Sequence, residues 1–366
     1  MLIFPSKLYR NWHQAKTTKN SCYLQSATEN QLTPKKATID DIAKLANVSK
    51  STVSRVLNNT TPVHEEKRAA VEAAMKELDF KPNVFARSLA GGQSKTIGVL
   101  SQHLGSPFYA TIAEGIIIHL SGTGYWPMFA DSNDEPKNAD QAVDNFLNRK
   151  IDGLIFIGGM LAEEKLNEFN ARVPTFVVGY DLQSAVKRCV CVNNELAGFN
   201  ATKHLIELGH RSIVHVKGIR NHMDAINRFE GYKRALTESG IPIDPELICE
   251  GQFDGQSGYD ATMGLLERGK KFTAVFAAND ICAMGVKLAL HRHSLKVPED
   301  VSVIGFDDQA EALFTVPPLT TVHQPAFEMG VAAATAIIAM INKKPYSLPE
   351  LPAEVTVRES TAKVKS

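Results

Sequence analysis

The sequence predicts a small α-helical domain followed by a larger α/β domain that is divided into two lobes. Residues 38–59 show two short helical patterns separated by a tight turn, and a third helical pattern follows over about 64–78. From Thr96 onward, apolar runs of five to seven residues alternate with helical patterns, which is typical of parallel sheets with crossover helices. The charge divides in the same place. Residues 1–95 hold 15 basic and 8 acidic side chains, a net charge of +7, although the whole chain has 40 of each.

Residues 1–36 fit neither domain. They contain six basic residues but only Glu29 on the acidic side, and they lack amphipathic periodicity. The apolar residues at positions 2–4 form too short a run for the apolar region of a signal peptide. We therefore expect a disordered or non-native N-terminal extension, with a functional basic arm as the alternative.

The first predicted helix begins at Thr38, because Thr38 and Asp41 have the spacing of a capping box. Its expected core face consists of Ile42, Leu45 and Ala46. In the turn that follows, the apolar Val48 can fill the angle between two helices, and Ser49 can cap the second helix. This order of elements predicts a helix-turn-helix.

The second predicted helix separates apolar from polar side chains. Val53, Val56 and Leu57 face inward, whereas the polar residues near its start project outward. Hydroxyl and basic groups suit DNA phosphates and base edges, so we predict a DNA-binding domain over residues 37–82. A helical hairpin with a solvated polar face is the alternative. The candidate DNA contacts in this domain are Thr38, Lys50, Ser51, Thr52, Ser54, Arg55 and Asn58.

The segment after this domain carries a resemblance. Residues 82–90 read Pro-Asn-Val-Phe-Ala-Arg-Ser-Leu-Ala and stop at two glycines. In this segment and in the helix-turn-helix, the chain resembles the LacI/GalR family of bacterial repressors over about residues 38–360. The resemblance implies that residues 83–92 form a hinge helix on operator DNA, with contacts from Asn83, Ala86, Arg87 and Leu89. Leu89 would act as an apolar wedge between base steps, and packing on a neighbouring domain is the alternative.

Eight strands are predicted after Thr96. They cover residues 96–102, 126–130, 153–157, 175–179, 212–217, 247–251, 274–278 and 301–306. The resemblance implies a periplasmic-binding-protein-like, two-lobed core over residues 95–360, in which the chain crosses between the lobes three times. Lobe one would take about residues 95–193 and 325–342, and lobe two about 194–323 and 345–360.

Polar and aromatic side chains follow several of these strands, where a ligand binds in doubly wound folds. We predict an effector site made of Gln102, Phe108, Tyr109, Asn194, Arg228, Asn279, Asp307 and Gln324. Amide and carboxylate groups with one arginine and one or two rings suit a sugar, whose hydroxyls form hydrogen bonds while its apolar face stacks. The resemblance implies that Arg228 is the arginine that contacts hydroxyl or carboxylate groups of the effector. Helix capping is the alternative role for Asn194, Asn279 and Asp307.

The remaining motifs argue against an enzyme. The chain lacks a phosphate-binding loop in the right context, a nucleophile elbow and a paired-histidine zinc motif. The five cysteines are scattered, so we expect reduced thiols, no metal and no cofactor. No run of about 20 apolar residues predicts a membrane span.

The sequence therefore predicts a cytoplasmic, homodimeric transcriptional repressor. Its expected partners are double-stranded operator DNA and a small sugar effector, and segments 203–210 and 297–308 look most similar to the galactose and β-glucoside repressor branch. A purine or nucleoside corepressor is the alternative effector. A sugar-binding protein without a DNA role is the alternative from another class.

Overall fold

The computed structural model describes residues 37–58, 62–80, 93–133, 135–158, 161–182 and 186–365. The chain forms two compact units, residues 1–86 and 87–366, and each is described by itself. The predicted extension over residues 1–36 and the predicted hinge helix over 83–92, with Asn83, Ala86, Arg87 and Leu89, lie outside the described residues.

The described residues of the first unit form three helices, α1 (Ile39–Leu45), α2 (Lys50–Asn58) and α3 (Glu65–Glu77). The capping box is present, because the Thr38 side chain accepts from the Asp41 backbone N–H and the Asp41 carboxylate accepts from the Thr38 backbone N–H. The predicted helix-turn-helix is thereby confirmed. The core of this unit consists of buried apolar residues from all three helices: Ile42, Ala43, Val53, Val56, Val71 and Ala74.

The prediction that Leu45 belongs to the core face of α1 is wrong. Leu45 is 45% exposed, whereas Ala43 is buried. At 100° per residue, Leu45 lies about 110° around the helix from the centre of the face that Ile42, Ala43 and Ala46 define. Its side chain therefore points away from α2 and α3.

Lobe one of the second unit is built on a five-stranded parallel sheet with the order β2-β1-β3-β4-β5. Its strands are β1 (Thr96–Ser101), β2 (Trp126–Asp131), β3 (Gly153–Ile157), β4 (Thr175–Val178) and β5 (Cys189–Val190). Its helices within this stretch are α4 (Pro107–Leu120), α5 (Pro136–Asn148) and α6 (Glu163–Arg172). The strand order changes direction between β1 and β3, which is where a doubly wound sheet opens a crevice for a ligand.

Lobe two is built on a four-stranded parallel sheet with the order β7-β6-β8-β9. Its strands are β6 (Ile213–Val216), β7 (Ile248–Cys249), β8 (Ala274–Ala277) and β9 (Ser302–Ile304). Its helices are α7 (Asn194–Glu207), α8 (Met223–Glu238), α9 (Gly255–Glu267) and α10 (Asp280–Arg292). The strand order changes direction between β6 and β8, so the crevice of this lobe lies beyond those two strands.

The chain passes between the lobes at three places. The first crossing joins β5 to α7, the second joins β10 (Thr321–His323) to α11 (Ala326–Ile341), and the third joins α11 to β11 (Glu354–Thr356). Helix α11 contributes to the core of lobe one, where its apolar side chains meet those of α4. Strands β10 and β11 pair with each other, and isolated bridges join residues 320 and 323 to lobe two.

Glycines bring neighbouring helix backbones into direct contact in both lobes. A Cβ atom added to Gly330 of α11 would lie 2.1 Å from the carbonyl oxygen of Ile112 in α4. One added to Gly285 of α10 would lie 1.8 Å from the carbonyl oxygen of Gly255 in α9. In three helix pairs, each helix has a glycine that lies against the backbone of the other helix. The pairs are α4 with α11, α7 with α8 and α9 with α10. The glycines concerned are Gly115, Gly330, Gly198, Gly231, Gly258 and Gly285.

Within the described residues, no helix combines the length and the apolar character that a membrane crossing requires.

Candidate functional site

The exposed face of α2 carries most of the predicted DNA contacts. Lys50, Ser51 and Arg55 are exposed, and Ser54 is half-buried on the same side of the helix. The first turn of α2 has no acidic residue, so the positive end of the helix dipole is free to attract a phosphate. This face therefore combines a cation, hydroxyl groups and a helix N-terminus.

Two predicted contacts are engaged within the protein instead. The Thr52 hydroxyl lies 2.9 Å from the Ser49 hydroxyl, and the Thr38 side chain caps α1. Asn58 is the last residue of α2, and its side chain is not among the described parts of the chain. Lys50 pairs with Asp40 at 2.7 Å, but both groups are exposed, and such pairs contribute little. Lys50 thus keeps its ability to contact a phosphate.

A cavity of about 290 Å³ lies between the two lobes, at the carboxyl ends of the strands. Lobe one contributes Gln102, His103, Gly105, Ser106, Phe108 and Tyr109 to its wall, and lobe two contributes Ile219, His222, Asp224, Arg228, Gln252, Phe253, Asp254, Asn279, Ile281 and Asp307. Six of the eight predicted effector residues are therefore brought together here. Asn194 and Gln324 lie one contact behind the wall.

Arg228 is almost fully buried and is held by protein acceptors. Its Nε donates to the Asn194 side-chain oxygen at 2.9 Å, and its Nη1 donates to the Ala278 carbonyl at 2.6 Å. The same Nη1 lies 3.7 Å from an Asp307 carboxylate oxygen. The guanidinium also lies 3.7 Å from the centre of the Phe306 ring. The orientation of Arg228 is thereby fixed before any ligand arrives.

Asp307 is held by two side-chain amides in addition to Arg228. Gln324 donates its amide to Asp307 at 2.7 Å, and Gln309 donates to the other carboxylate oxygen at 3.2 Å. Burial raises the pKa of Asp307 to about 6, although Arg228 and the two amides favour the charged form. Since Gln324 lies at the second crossing between the lobes, a ligand on Asp307 is one hydrogen bond from that crossing.

Behind Asp307 lies a second buried carboxyl group. Asp280, the first residue of α10, accepts from the Thr321 hydroxyl at 2.5 Å and from the Gln309 backbone N–H at 2.8 Å. Burial, together with the charge of Asp307, raises the pKa of Asp280 to about 8. The folded protein therefore takes up a proton on Asp280 at a higher pH than the unfolded chain does.

We expect Asp280 to make the protein less stable as the pH rises. Its pKa is raised from 3.8 to about 8, so the folded state binds more protons than the unfolded state between these values, and the free energy of unfolding falls as pH rises through this window. Asp280→Asn can accept from the Gln309 backbone N–H and donate its amide to the Thr321 hydroxyl, which keeps two hydrogen bonds without a charge. Urea unfolding at pH 5 and pH 8 should show a smaller fall in the variant, by on the order of 1 kcal/mol per pH unit. An identical fall in both proteins would mean that Asp280 is charged throughout.

Helix capping was the alternative role for Asn194, Asn279 and Asp307, and of these only Asn279 caps a described helix. Asn279 caps α10, since its side-chain oxygen accepts from the Cys282 backbone N–H at 2.9 Å, and it lines the cavity as well. The cap of α7 is Asn193 instead of Asn194, whose side chain bonds Arg228 and Asp224. Asp307 caps no described helix and adopts a backbone φ of 107°.

The predicted aromatic contact differs in its detail. Phe108 is only 8% exposed, because most of its ring packs into the core of lobe one. Tyr109 and Phe253 are more exposed and present more ring surface to the cavity. A stacking ligand would therefore meet Tyr109 and Phe253 more fully than Phe108.

Several lining residues were not predicted from the sequence, although the same signal could have found them. Ile219, His222 and Asp224 follow β6, and the group of Gln252, Phe253 and Asp254 follows β7. Polar residues after those two predicted strands satisfy the rule that identified Gln102 and Asn279.

A second cavity, of about 530 Å³, adjoins the first at the crossing between β5 and α7. Asp224 belongs to both walls, and its hydrogen bond with Asn194 lies between the two cavities. The second wall includes four carboxylates, from Glu163, Asp181, Glu195 and Asp224. The inter-lobe cleft is therefore longer than the first cavity alone.

No cysteine of the described residues lines the first cavity, whereas Cys191 lines the second. Cys189, Cys191, Cys249 and Cys282 are free. In the part of the chain that the structure describes, no cluster of histidine, cysteine or carboxylate side chains could hold a metal ion.

Comparisons with known proteins match both units. A family model for bacterial regulatory proteins of the lacI family matches residues 38–83, and one for periplasmic binding protein-like domains matches residues 202–361. The HTH-type transcriptional repressor PurR of Haemophilus influenzae (strain PittEE) is 32% identical over 335 residues, which cover 90% of this chain and 99% of the relative. Catabolite control protein A of Priestia megaterium is 34% identical over 328 residues, covering 88% and 99%.

Solved structures give the same result. The structure of the Lac repressor dimer bound to operator and the anti-inducer ONPF has a TM-score of 0.81 and is 30% identical in sequence. The match covers 90% of this chain and 100% of that chain. A complex of the transcriptional regulator CelR with cellobiose has a TM-score of 0.66 at 30% identity, over 88% and 99%. The likeness thus extends over the helical unit and the two lobes together.

Proposed function

The chain belongs to the LacI family of bacterial regulatory proteins and is a DNA-binding transcriptional repressor, not an enzyme, and from this premise we propose that a small sugar bound between its lobes controls its affinity for operator DNA. The observation that carries the proposal is the shared cavity. Polar side chains from both lobes meet there around two partly exposed rings, so that one small molecule contacts both lobes at once.

The cavity chemistry supports a hydroxyl-rich ligand. Amides, carboxylates and one arginine supply paired donors and acceptors, which suit vicinal hydroxyl groups. Tyr109 and Phe253 supply ring faces for the apolar side of a pyranose. The similar regulator CelR was solved with cellobiose, which is of the same class.

A thermal-shift screen tests the effector. The panel contains galactose, glucose, ribose, cellobiose and a β-glucoside, together with hypoxanthine and guanine, because PurR is among the relatives. A sugar at 100 times its dissociation constant should stabilise the protein by about 2.7 kcal/mol. Stabilisation by a purine alone would overturn the sugar proposal and leave the repressor assignment intact.

Operator binding should be steeply dependent on salt, because the exposed face of α2 offers cations and a helix N-terminus to phosphates. We propose that Lys50, Ser51, Ser54 and Arg55 contact DNA directly. Duplexes selected from a random pool, titrated between 50 and 200 mM salt, should weaken by about 10³-fold or more if six or more phosphates are contacted. Exchanging Lys50 and Ser51 should change the selected half-site, and an unchanged sequence would exclude them as base readers.

We propose a homodimer that joins through exposed apolar surface. On lobe two, Phe314 is 80% exposed and Val316 is 92% exposed. Lys287 of α10 donates to the Thr315 hydroxyl at 2.8 Å, which fixes this segment against α10. Lobe one exposes a further apolar set, Ile117, Ile118 and Trp126. A second copy of the chain is the fitting occupant, since exposed apolar patches mark interaction sites and a similar repressor was solved as a dimer.

Phe314→Asp should dissociate the dimer. A carboxylate buried in an apolar interface has no partner, so we expect the dimer dissociation constant to rise at least tenfold in sedimentation equilibrium. Operator affinity should fall as the dimer dissociates, because a pseudo-palindromic site is bound by two DNA-binding domains. Val357→Asp, at another exposed apolar position, is the control and should leave the dimer intact. Equal dissociation constants for Phe314→Asp and the parent would place the interface elsewhere.

A further inference from the structure

A hydrogen bond crosses the inter-lobe cleft away from the three chain crossings. Tyr109 lies on α4 of lobe one, and His222 precedes α8 of lobe two. The Tyr109 hydroxyl lies 3.4 Å from the His222 Nε2, and it also lies 3.4 Å from the Gln102 side-chain oxygen. Three cavity-lining side chains thus form a row that runs from one lobe to the other.

The direction of each hydrogen bond follows from the helix cap. The His222 Nδ1 accepts from the Asp224 backbone N–H at 3.3 Å, so in the neutral ring the proton is on Nε2. The Nε2–H group then donates to the Tyr109 oxygen. The tyrosine proton in turn is donated to Gln102, whose side-chain oxygen is an acceptor. Every donor in the row therefore meets an acceptor.

The His222 ring is held in place for this contact. Its side chain is only 4% exposed, and its ring meets the edge of Phe253 at 5.4 Å and 83°. The hydrogen bond from the Asp224 backbone N–H and the contact with Phe253 hold the ring at two places. Little rotamer freedom remains to be lost when the bond to Tyr109 forms.

We propose that Tyr109 and His222 form a latch that holds the lobes together when the cleft contains no small molecule. The proposal rests on the proposed function, because it assumes that the lobes move relative to each other as a small molecule binds. A ligand that enters between the two side chains separates them. To keep the lobes closed, it must accept a hydrogen bond from His222 and also offer a donor or acceptor to Tyr109, which a sugar hydroxyl can do from either side.

The test compares two variants in the dialysed, sugar-free protein. Tyr109→Phe removes the hydroxyl and keeps the ring. His222→Asn keeps an N-cap for α8, because asparagine caps well, but its side chain is too short to reach Tyr109. Hydroxyl-radical labelling followed by mass spectrometry reports how often Ile281, another residue of the cavity wall, is accessible to solvent. The exposed Val357 serves as the internal reference.

We expect Ile281 labelling to rise about two- to fivefold in either variant, which is the factor that one neutral hydrogen bond supplies. The double variant should show the same rise as each single variant, because all three variants remove the same hydrogen bond across the cleft. Tyr125→Phe is the control. Its hydroxyl contacts Gln93 and Lys95, away from the cleft, so labelling of Ile281 should stay unchanged.

Unchanged labelling in both Tyr109→Phe and His222→Asn would overturn the latch, as would effects that add in the double variant. The readout contains neither DNA nor sugar. Its failure would therefore leave the repressor and sugar proposals untouched, and failure of the sugar screen would leave this result readable.

Discussion

Replacing Arg228 with alanine is expected to lower the affinity for the sugar found by screening at least a hundredfold, about 3 kcal/mol. Arg228 lines the cavity with its guanidinium fixed by Asn194, the Ala278 carbonyl and the Phe306 ring. Its Nη2 makes no hydrogen bond to any residue that the structure describes, so it is available to a ligand oxygen. Isothermal titration with the sugar measures the loss, and a parallel titration with operator DNA should show little change.

The same substitution should also make stability more dependent on pH. Arg228 opposes the rise in the pKa of Asp307, so without it this buried carboxyl group becomes harder to ionise. The melting temperature should therefore fall more at pH 8 than at pH 5. Adding Asp307→Asn removes the charge and should restore stability without restoring sugar affinity. Sugar affinity that survives Arg228→Ala would remove Arg228 from the site.

Gly285→Ala is expected to destabilise lobe two by about 3 kcal/mol. A Cβ atom at this position would lie 1.8 Å from the Gly255 carbonyl oxygen and 2.9 Å from the Tyr259 nitrogen, so the backbones of α9 and α10 must separate. Overpacking of this kind typically costs 1–3 kcal/mol, and backbone atoms yield less than side chains do.

A matched control for Gly285 lies within α9. A Cβ atom at Gly264 would meet only the end of the flexible Arg268 side chain, at 3.5 Å. Gly264→Ala should therefore stabilise the helix by up to about 1 kcal/mol. Urea unfolding of both variants measures the difference. Equal effects at the two positions would show that the two helices are not in backbone contact.

The sequence predicted the architecture well because its signals are local. A capping box, a serine cap and helical spacing determine α1 and α2 within about twenty residues. Each of the eight predicted strands overlaps an observed strand, since long apolar runs are what a sheet covered on both faces requires. The strands that were not predicted, β5, β10 and β11, have two or three residues. Their positions depend on pairing partners far along the chain, which periodicity does not reveal.

The sequence predicted which strand ends supply residues to the candidate site, but it did not predict which side chains line the cavity and which support them. Residues at strand ends, such as Gln102 and Asp307, follow from topology. Whether a polar side chain faces the cavity or supports a neighbour depends on packing. For this reason the sequence did not show that Gln324 lies behind the wall of the first cavity, or that Asn194 lines the second cavity. His222 combines a helix cap with a contact across the cleft, and the sequence alone indicates neither.

The glycine contacts between α4 and α11, α7 and α8, and α9 and α10 determine how the molecule can deform. Helices whose backbones touch cannot slide past each other without overlapping atoms, so each lobe resists shear. Elastic strain must then concentrate in the three crossings, which are thin compared with the lobes. A lobe that turns on such pivots acts as a lever arm. A displacement of a fraction of an ångström beside Arg228 therefore becomes a larger movement at the far end of the lobe.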